Sequence, residues 1–144
     1  MLKGISPLLS PDLLKMLCEM GHGDEILLAD AHFPGHTLGK HVLRADGLTI
    51  PQLLDAILPL LVLDEHANPL IMMQPDAGDS ADPTVEADFL SAARRLAPEV
   101  SAIIRIPRPA FYDRAKSAYA VVITGELRAY GNLILRKGVT PIVK

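Results

Sequence analysis

The 144-residue sequence has no tryptophan, and its aromatic residues amount to only 4 %. Aliphatic side chains must therefore fill the core, and little stacking surface is left for nucleobases. Cys18 is the one cysteine, so an internal disulfide is impossible and no CxxC metal pattern exists. Basic residues are not in excess. Lys and Arg number 14 against 17 Asp and Glu, for a net charge of −3. Without a basic stripe, nucleic acid is not an expected partner. No apolar run is long enough to cross a bilayer; the longest, 57–63, is interrupted by Pro59. The start reads Met1-Leu2-Lys3-Gly4 and passes into Ser-Pro signals rather than an apolar leader. The expectation is a cytoplasmic protein with no membrane partner. No repeat, low-complexity tract or linker divides the chain, which predicts one domain over 1–144.

What is present is ordinary for a globular protein: 49 % apolar and 22 % charged residues. The mean hydropathy is positive, which points to apolar surface covered by self-association. Ser10-Pro11-Asp12 supplies a capping hydroxyl, a first-turn proline and a first-turn carboxylate, and Leu13, Leu14, Leu17 and Met20 follow at helical spacing. Gly21 is placed to close that helix. Short apolar runs at 26–29, 42–43, 69–73, 103–106, 119–124 and 133–135 read as strands. Helices are expected over 51–60, from Asp82-Pro83 to about 96, and over 111–117, with loops at 31–40 and 76–83. Strands alternating with helices argue for an α/β layer fold, and continuously apolar strands for a sheet covered on both faces.

The segment Gly21-His22-Gly23-Asp24-Glu25, with Asp30-Ala31-His32-Phe33-Pro34-Gly35-His36 after its strand, holds the densest chemistry. His22 follows a helix C-terminus, whose dipole favours a positive imidazole, and Asp24 and Asp30 lie near in sequence. Such an imidazole suits proton donation; a plain surface histidine in a turn is the alternative. His32, His36 and His41 with Asp30 are conceivable metal ligands. They sit in a Pro/Gly loop without the helical two-histidine zinc pattern, so hydrogen bonding to hydroxyl groups fits them better and no metal is expected. Arg105 and Arg108 near a strand end are either a solvated pair or a hydrogen-bonding fork beside a ligand. Tyr130-Gly131-Asn132 is either a plain turn or a phenol and an amide presented to a polar ligand.

These residues lie within a larger pattern. In order along the chain come Ile5-Ser6-Pro7-Leu8, Glu19-Met20-Gly21-His22-Gly23-Asp24-Glu25-Ile26, Asp30-Ala31-His32-Phe33-Pro34, Arg44-Ala45-Asp46-Gly47-Leu48, Ile103-Ile104-Arg105-Ile106, Phe111-Tyr112, Val122-Ile123-Thr124-Gly125-Glu126, Tyr130-Gly131-Asn132 and Lys137-Gly138-Val139-Thr140-Pro141. The chain thereby resembles the RbsD/FucU family over nearly its whole length, and the fucose branch more closely than the ribose pyranase branch. Gly35 stands where the family often has alanine, Pro107 and Pro109 bracket the arginine, and the residues after Pro141 extend past the usual end with no role expected.

The resemblance implies a three-layer α/β domain with a mixed sheet flanked by helices. It implies an isomerase that interconverts the α and β anomers of L-fucose without a cofactor. His22 takes the family's general-acid position and Tyr130 is the second candidate for proton handling. Asp30, Arg108, Tyr130, Gly131 and Asn132 fall on the substrate-binding positions. An apolar wall from Phe33, Phe111 or Tyr112 would suit the C5 methyl of fucose. The resemblance further implies a decamer of two stacked five-membered rings, whose pockets borrow residues from a neighbouring subunit. The alternatives are a D-ribose pyranase working through the same open-chain intermediate, a sugar-binding protein without catalysis, and a metal-dependent enzyme using the histidine loop.

Overall fold

The computed structural model describes residues 1–143; Lys144, one of the residues after Pro141 expected to have no role, lies outside them. In chain order the elements are α1 (Pro11–Glu19), β1 (Glu25–Ala29), α2 (Gly35–Leu38), β2 (Val42–Ala45), α3 (Ile50–Ile57), β3 (Leu70–Met73), α4 (Pro83–Leu96), β4 (Ile104–Ile106), α5 (Arg108–Ser117), β5 (Ala120–Thr124) and β6 (Leu133–Arg136). The six strands form one sheet in the order β2-β5-β1-β6-β3-β4. β1 pairs parallel with β5, β5 with β2, and β3 with β4, while β6 runs antiparallel to both β1 and β3. Five strands thus point one way and β6 alone is reversed.

Side chains alternate across this sheet, as the period of two requires. Ile26, Leu28, Val122, Leu133 and Leu135 face one layer, built on α1, α3 and α4 with Leu13, Leu17, Leu53, Ile57 and Phe89. Leu27, Ala29, Val121, Ile123 and Ile134 face the other layer, where Phe111 and Ala115 of α5 pack, with Leu38 of α2 beside them. Both faces are covered, so the strands can be apolar throughout.

The helix starts follow the sequence signals. Ser10 accepts from the Leu13 amide, and Thr49 with Gln52 closes a capping box on α3. Four details differ from expectation. Residues 35–38, read as loop, make a short helix laid against β5, where a Cβ on Gly35 would lie 3.0 Å from the Ile123 side chain. α3 stops at Ile57 rather than 60, because Pro59 has no amide to continue it. α5 starts at Arg108 rather than 111, because prolines fit a helix's first turn. α1 ends through an extended Met20, and the left-handed residue is Gly23 (φ +85°), not Gly21.

The topology creates two edges. The carboxyl edge of the five like-directed strands gathers Asp30 after β1, the turn after β3, Arg108 after β4, the loop after β5, and Asn132 just before β6. The amino edge gathers His22 before β1, Asp64 before β3, and Arg136 at the end of β6.

Candidate functional site

The carboxyl edge holds a pocket of ≈ 280 Å³. Its floor is a reciprocal pair between neighbouring strands. The Asp30 amide donates to Oδ1 of Asn132 (2.7 Å), and Nδ2 of Asn132 donates back to Oδ2 of Asp30 (2.9 Å). The other carboxylate oxygen of Asp30 accepts from the His32 amide at 2.9 Å. Both side chains are buried. Each oxygen of an ionised carboxylate can accept more than one bond, so Asp30 retains acceptor capacity towards a ligand hydroxyl.

Tyr130 has φ +60° and is the one residue other than glycine with positive φ among the described residues. A left-handed backbone on a bulky side chain costs of order 1–3 kcal/mol and persists only where its surroundings enforce it. Here Gly131 donates its amide to Arg128 O (3.2 Å), and a Cβ on Gly131 would sit 2.8 Å from that same oxygen. Buried Glu126 accepts from Nε of Arg128 (2.7 Å), and Arg128 also reaches Asp88 on α4 (2.6 Å). The loop is thereby clamped, and it aims the phenol at the pocket.

The phenol meets the turn after β3. Its O–H donates to Oδ2 of Asp79 (2.7 Å), and its oxygen accepts from the Asp76 amide (3.2 Å). The Asp76 amide is the strongest influence on the phenol and acts downwards. The Asp79 carboxylate, burial and the charge of Asp76 outweigh it, and the Tyr130 pKa lies above its ordinary value. The Tyr130 phenol and the Ser80 amide hold Asp79 below the usual carboxylate range.

Arg108 begins α5 and donates through Nη1 to Asp76 at 2.7 Å, with its guanidinium 5.6 Å from the centre of the Tyr112 ring. Phe33 stands edge-on to Tyr112 with centroids 5.6 Å apart. Phe33, Pro34, Met73 and Tyr112 form an apolar wall of the pocket. Phe111, the third aromatic candidate for that wall, lies wholly in the core behind Phe33.

A second cluster occupies the amino edge. Nε2 of His22 lies 3.2 Å from Oδ1 of Asp64, whose other oxygen accepts from Nε of Arg136 at 2.8 Å. Asp64 is buried, while the His22 side chain is 46 % exposed. The His66 amide above all, then Arg136, then His22 hold Asp64 far below the usual carboxylate range. A buried carboxylate that fixes one ring nitrogen orients the imidazole. Asp24 does not take this part, since it accepts from the Gly21 amide at 2.7 Å. A groove of ≈ 590 Å³ lined by Asp64, His66, Asn68 and Glu99 adjoins the cluster.

The structure therefore brings Asp30, Arg108, Tyr130 and Asn132 together, with Gly131 shaping the turn, and does not bring His22 to them within one chain. β1 alone puts about 13 Å between the two edges at about 3.3 Å per residue. Arg105 does not join the pocket; it binds Glu86 (2.8 Å) and the Met73 carbonyl (2.7 Å). The loop histidines separate: His32 lines the pocket, His36 meets Arg44 and His41 packs on Tyr119. Among the described residues no three His, Cys, Asp or Glu side chains gather as a metal ion would require. Asp64, Met73, Asp76 and Asp79 were not singled out from sequence. Isolated acidic residues in loops carry no periodic signal, and only the topology brings them to a partner.

A family model described as the RbsD / FucU transport protein family matches residues 3–140. The fold is similar to FucU from Bifidobacterium longum, at 40 % identity over 96 % of this chain and 100 % of that one, with a TM-score of 0.90. It is similar to the fucose mutarotase of Streptococcus pneumoniae, solved in complex with L-fucose, at 41 % identity over 97 % of this chain and 100 % of that one (TM-score 0.85). Bacillus subtilis RbsD, solved with D-ribose, is more distant, at 27 % identity over 98 % and 100 % of the two chains (TM-score 0.71).

Proposed function

Because the chain belongs to the RbsD/FucU family, we propose that it is a sugar mutarotase, an isomerase interconverting the α and β anomers of L-fucose. The observation that carries this reading is the carboxyl-edge pocket. On one side it presents Asp30, Arg108 and Tyr130 as acceptors and donors for hydroxyl groups, and on the other a wall of Phe33, Met73 and Tyr112. That wall suits the methyl group on C5 of fucose, which ribose lacks. The greater distance of the ribose-bound relative agrees with this preference.

The reaction opens a hemiacetal ring, lets C1–C2 rotate, and closes the ring on the other face. Opening requires a proton on the ring oxygen and removal of one from the anomeric hydroxyl. Electrons stay on the substrate and no group is transferred, so proton movement suffices and no cofactor is called for. Positioned acids and bases each contribute roughly 10²–10⁴-fold. His22, held by Asp64, is the proton donor, and Tyr130 handles the anomeric proton. Asp30 and Arg108 hold sugar hydroxyls. Asn132 fixes Asp30, and Gly131 permits the backbone turn.

Donor and pocket lie on opposite edges of the sheet, so the donor comes from a neighbouring copy. The half-exposed His22 beside the open groove supports this, as do the exposed Leu60, Leu96 and Leu127. The assembly that fits is the family's decamer of two five-membered rings. A cytoplasmic location agrees with the lone free Cys18; no helix among the described residues is long and apolar enough to cross a membrane.

Two-dimensional exchange NMR of L-fucose, D-ribose and galactose with the purified protein tests the proposal. Exchange between the fucose anomers should rise above the spontaneous rate and exceed that of the other sugars. Saturation transfer to fucose without accelerated exchange would instead establish a binding protein.

A further inference from the structure

Tyr130 poses a chemical problem for the mutarotase reading. An ordinary phenol has a pKa of about 10 and is a poor base at neutral pH when it must surrender its own proton to water. The pocket supplies another receiver. The phenolic O–H is donated to Oδ2 of Asp79 at 2.7 Å, and among the described residues the oxygen accepts only the Asp76 amide. One acceptor position on that oxygen stays free beside the cavity that Tyr130 and Asp79 both line.

We propose that Asp79 is a positioning residue for Tyr130, holding the phenolic hydrogen on its own carboxylate and receiving it as Tyr130 accepts the proton of the sugar's anomeric hydroxyl. The inference rests on the mutarotase reading. In the opening step the anomeric O–H bond breaks and its proton passes to Oη of Tyr130. The Oη–H bond breaks and that proton passes to Oδ2 of Asp79. The C1 carbonyl forms, C1–O5 breaks, and O5 takes the proton of the neighbouring copy's imidazolium. Closing reverses every transfer on the other face. Asp79 gains one proton, the imidazolium loses one, and Tyr130 ends neutral, so no free phenolate forms.

The other carboxylates are less suited. Asp30 holds Asn132 and the His32 amide and makes no hydrogen bond to the phenol, whose hydrogen goes to Asp79. Asp76 is paired with Arg108. Asp79 is an exposed residue whose remaining bond is to the amide of adjacent Ser80. Its placement is built into the turn: the Asp79 amide donates to Asp76 O (2.9 Å), Gly78 takes φ +83°, and the Arg108 pair anchors the turn to α5.

The test uses the full-length protein and L-fucose, with Asp79→Asn, Asp79→Glu, Tyr130→Phe and the double variant D79N/Y130F. Asparagine still accepts the phenolic hydrogen bond but takes no proton. D79N should lower kcat for anomer exchange by about 100-fold, within the range of one proton-transfer group, with KM changed less than about twofold. Asp79→Glu should recover part of the rate, and the double variant should be no slower than Tyr130→Phe. A second readout needs no turnover: NMR titration of the Tyr130 ring carbon, which in D79N should move down towards an ordinary phenol. The charged and titratable groups that share the pocket with Tyr130 are Asp30, His32, Asp79, Arg108 and Tyr112, with Asp76 bonded to the phenol through its amide, and D79N alters one of them. A D79N variant with unchanged kcat overturns the relay, as does a raised KM alone or an additive double variant. An unmoved Tyr130 titration overturns the pairing itself. Wild-type protein without accelerated exchange overturns the mutarotase reading and the relay together, while the titration still judges the pairing.

Discussion

Asp30 and Asn132 show how one residue can serve through another. Each satisfies a buried polar group of its partner, across a strand pair joined only by folding. Asn132→Ala leaves the Asp30 amide and one carboxylate oxygen without their partner, and an unmade buried hydrogen bond costs about 1–3 kcal/mol. Urea denaturation should show a loss of that size, together with weaker binding of fucose. His22→Ala should behave differently. Its side chain is half-exposed, so the fold should persist by circular dichroism while anomer exchange falls by about 10²–10⁴-fold.

Asp64 predicts a pH dependence. Its folded carboxyl titrates far below the unfolded value of about 3.9. The ionised form therefore stabilises the fold above that pH, and the contribution disappears as pH falls towards the folded value. Asp64→Asn should be less stable than wild type at pH 7, and the gap in urea midpoint should narrow steadily below pH about 4. His22 and Asp30 stood out in the sequence because they flank the same short apolar run, His22 in the glycine-bounded turn before it and Asp30 directly after it. Asp64 was not, because its role arises from Arg136, which reaches it across the sheet, and from the His66 amide.

At the level of elements, capping chemistry was the most readable signal. Ser10-Pro11 and Asp82-Pro83 start two helices through side-chain acceptors, while the Thr49 cap of α3 emerged only in the structure. Pro107 and Pro109 were harder to place, since the same residues stiffen a loop or open a helix. The prolines permit α5 to open at Arg108, and the packing of Phe111 and Ala115 into the core selects the helix over a loop, a tertiary matter. The Tyr130 turn is the element most exposed to a single added carbon. In Gly131→Ala the new Cβ meets a backbone oxygen at 2.8 Å, which cannot rotate away. Overpacking of this kind typically costs about 1–3 kcal/mol. The expected outcome is a modest drop in melting temperature with a disproportionate loss of exchange rate, as the phenol is displaced from Asp79.

For the whole molecule, strand directions govern where chemistry can occur. Alternating strands and helices announced the layers and the covered sheet. The reversed β6 carries no sequence mark of its direction, and the separation of His22 from the pocket follows from which strand ends share an edge. If neighbouring copies complete each pocket, subunits carrying only His22→Ala and subunits carrying only Asp30→Asn should rescue one another on mixing. Random assembly in equal amounts makes about one pocket in four intact, because each pocket draws one part from each of two subunits. Exchange NMR of the co-refolded mixture should show that recovery, and its absence would place donor and pocket in one chain by some rearrangement.

The reversed strand has a consequence for synthesis. β6 holds residues 133–136 yet lies between β1 and β3, joining the β2-β5-β1 half to the β3-β4 half. A nascent polypeptide that stops at residue 131 owns two unjoined half-sheets with open flanks. It also lacks Asn132 and Arg136, one from each cluster. Neither half can commit before β6 has left the ribosome, so a stop just ahead of residue 132 should yield aggregate rather than a shortened enzyme.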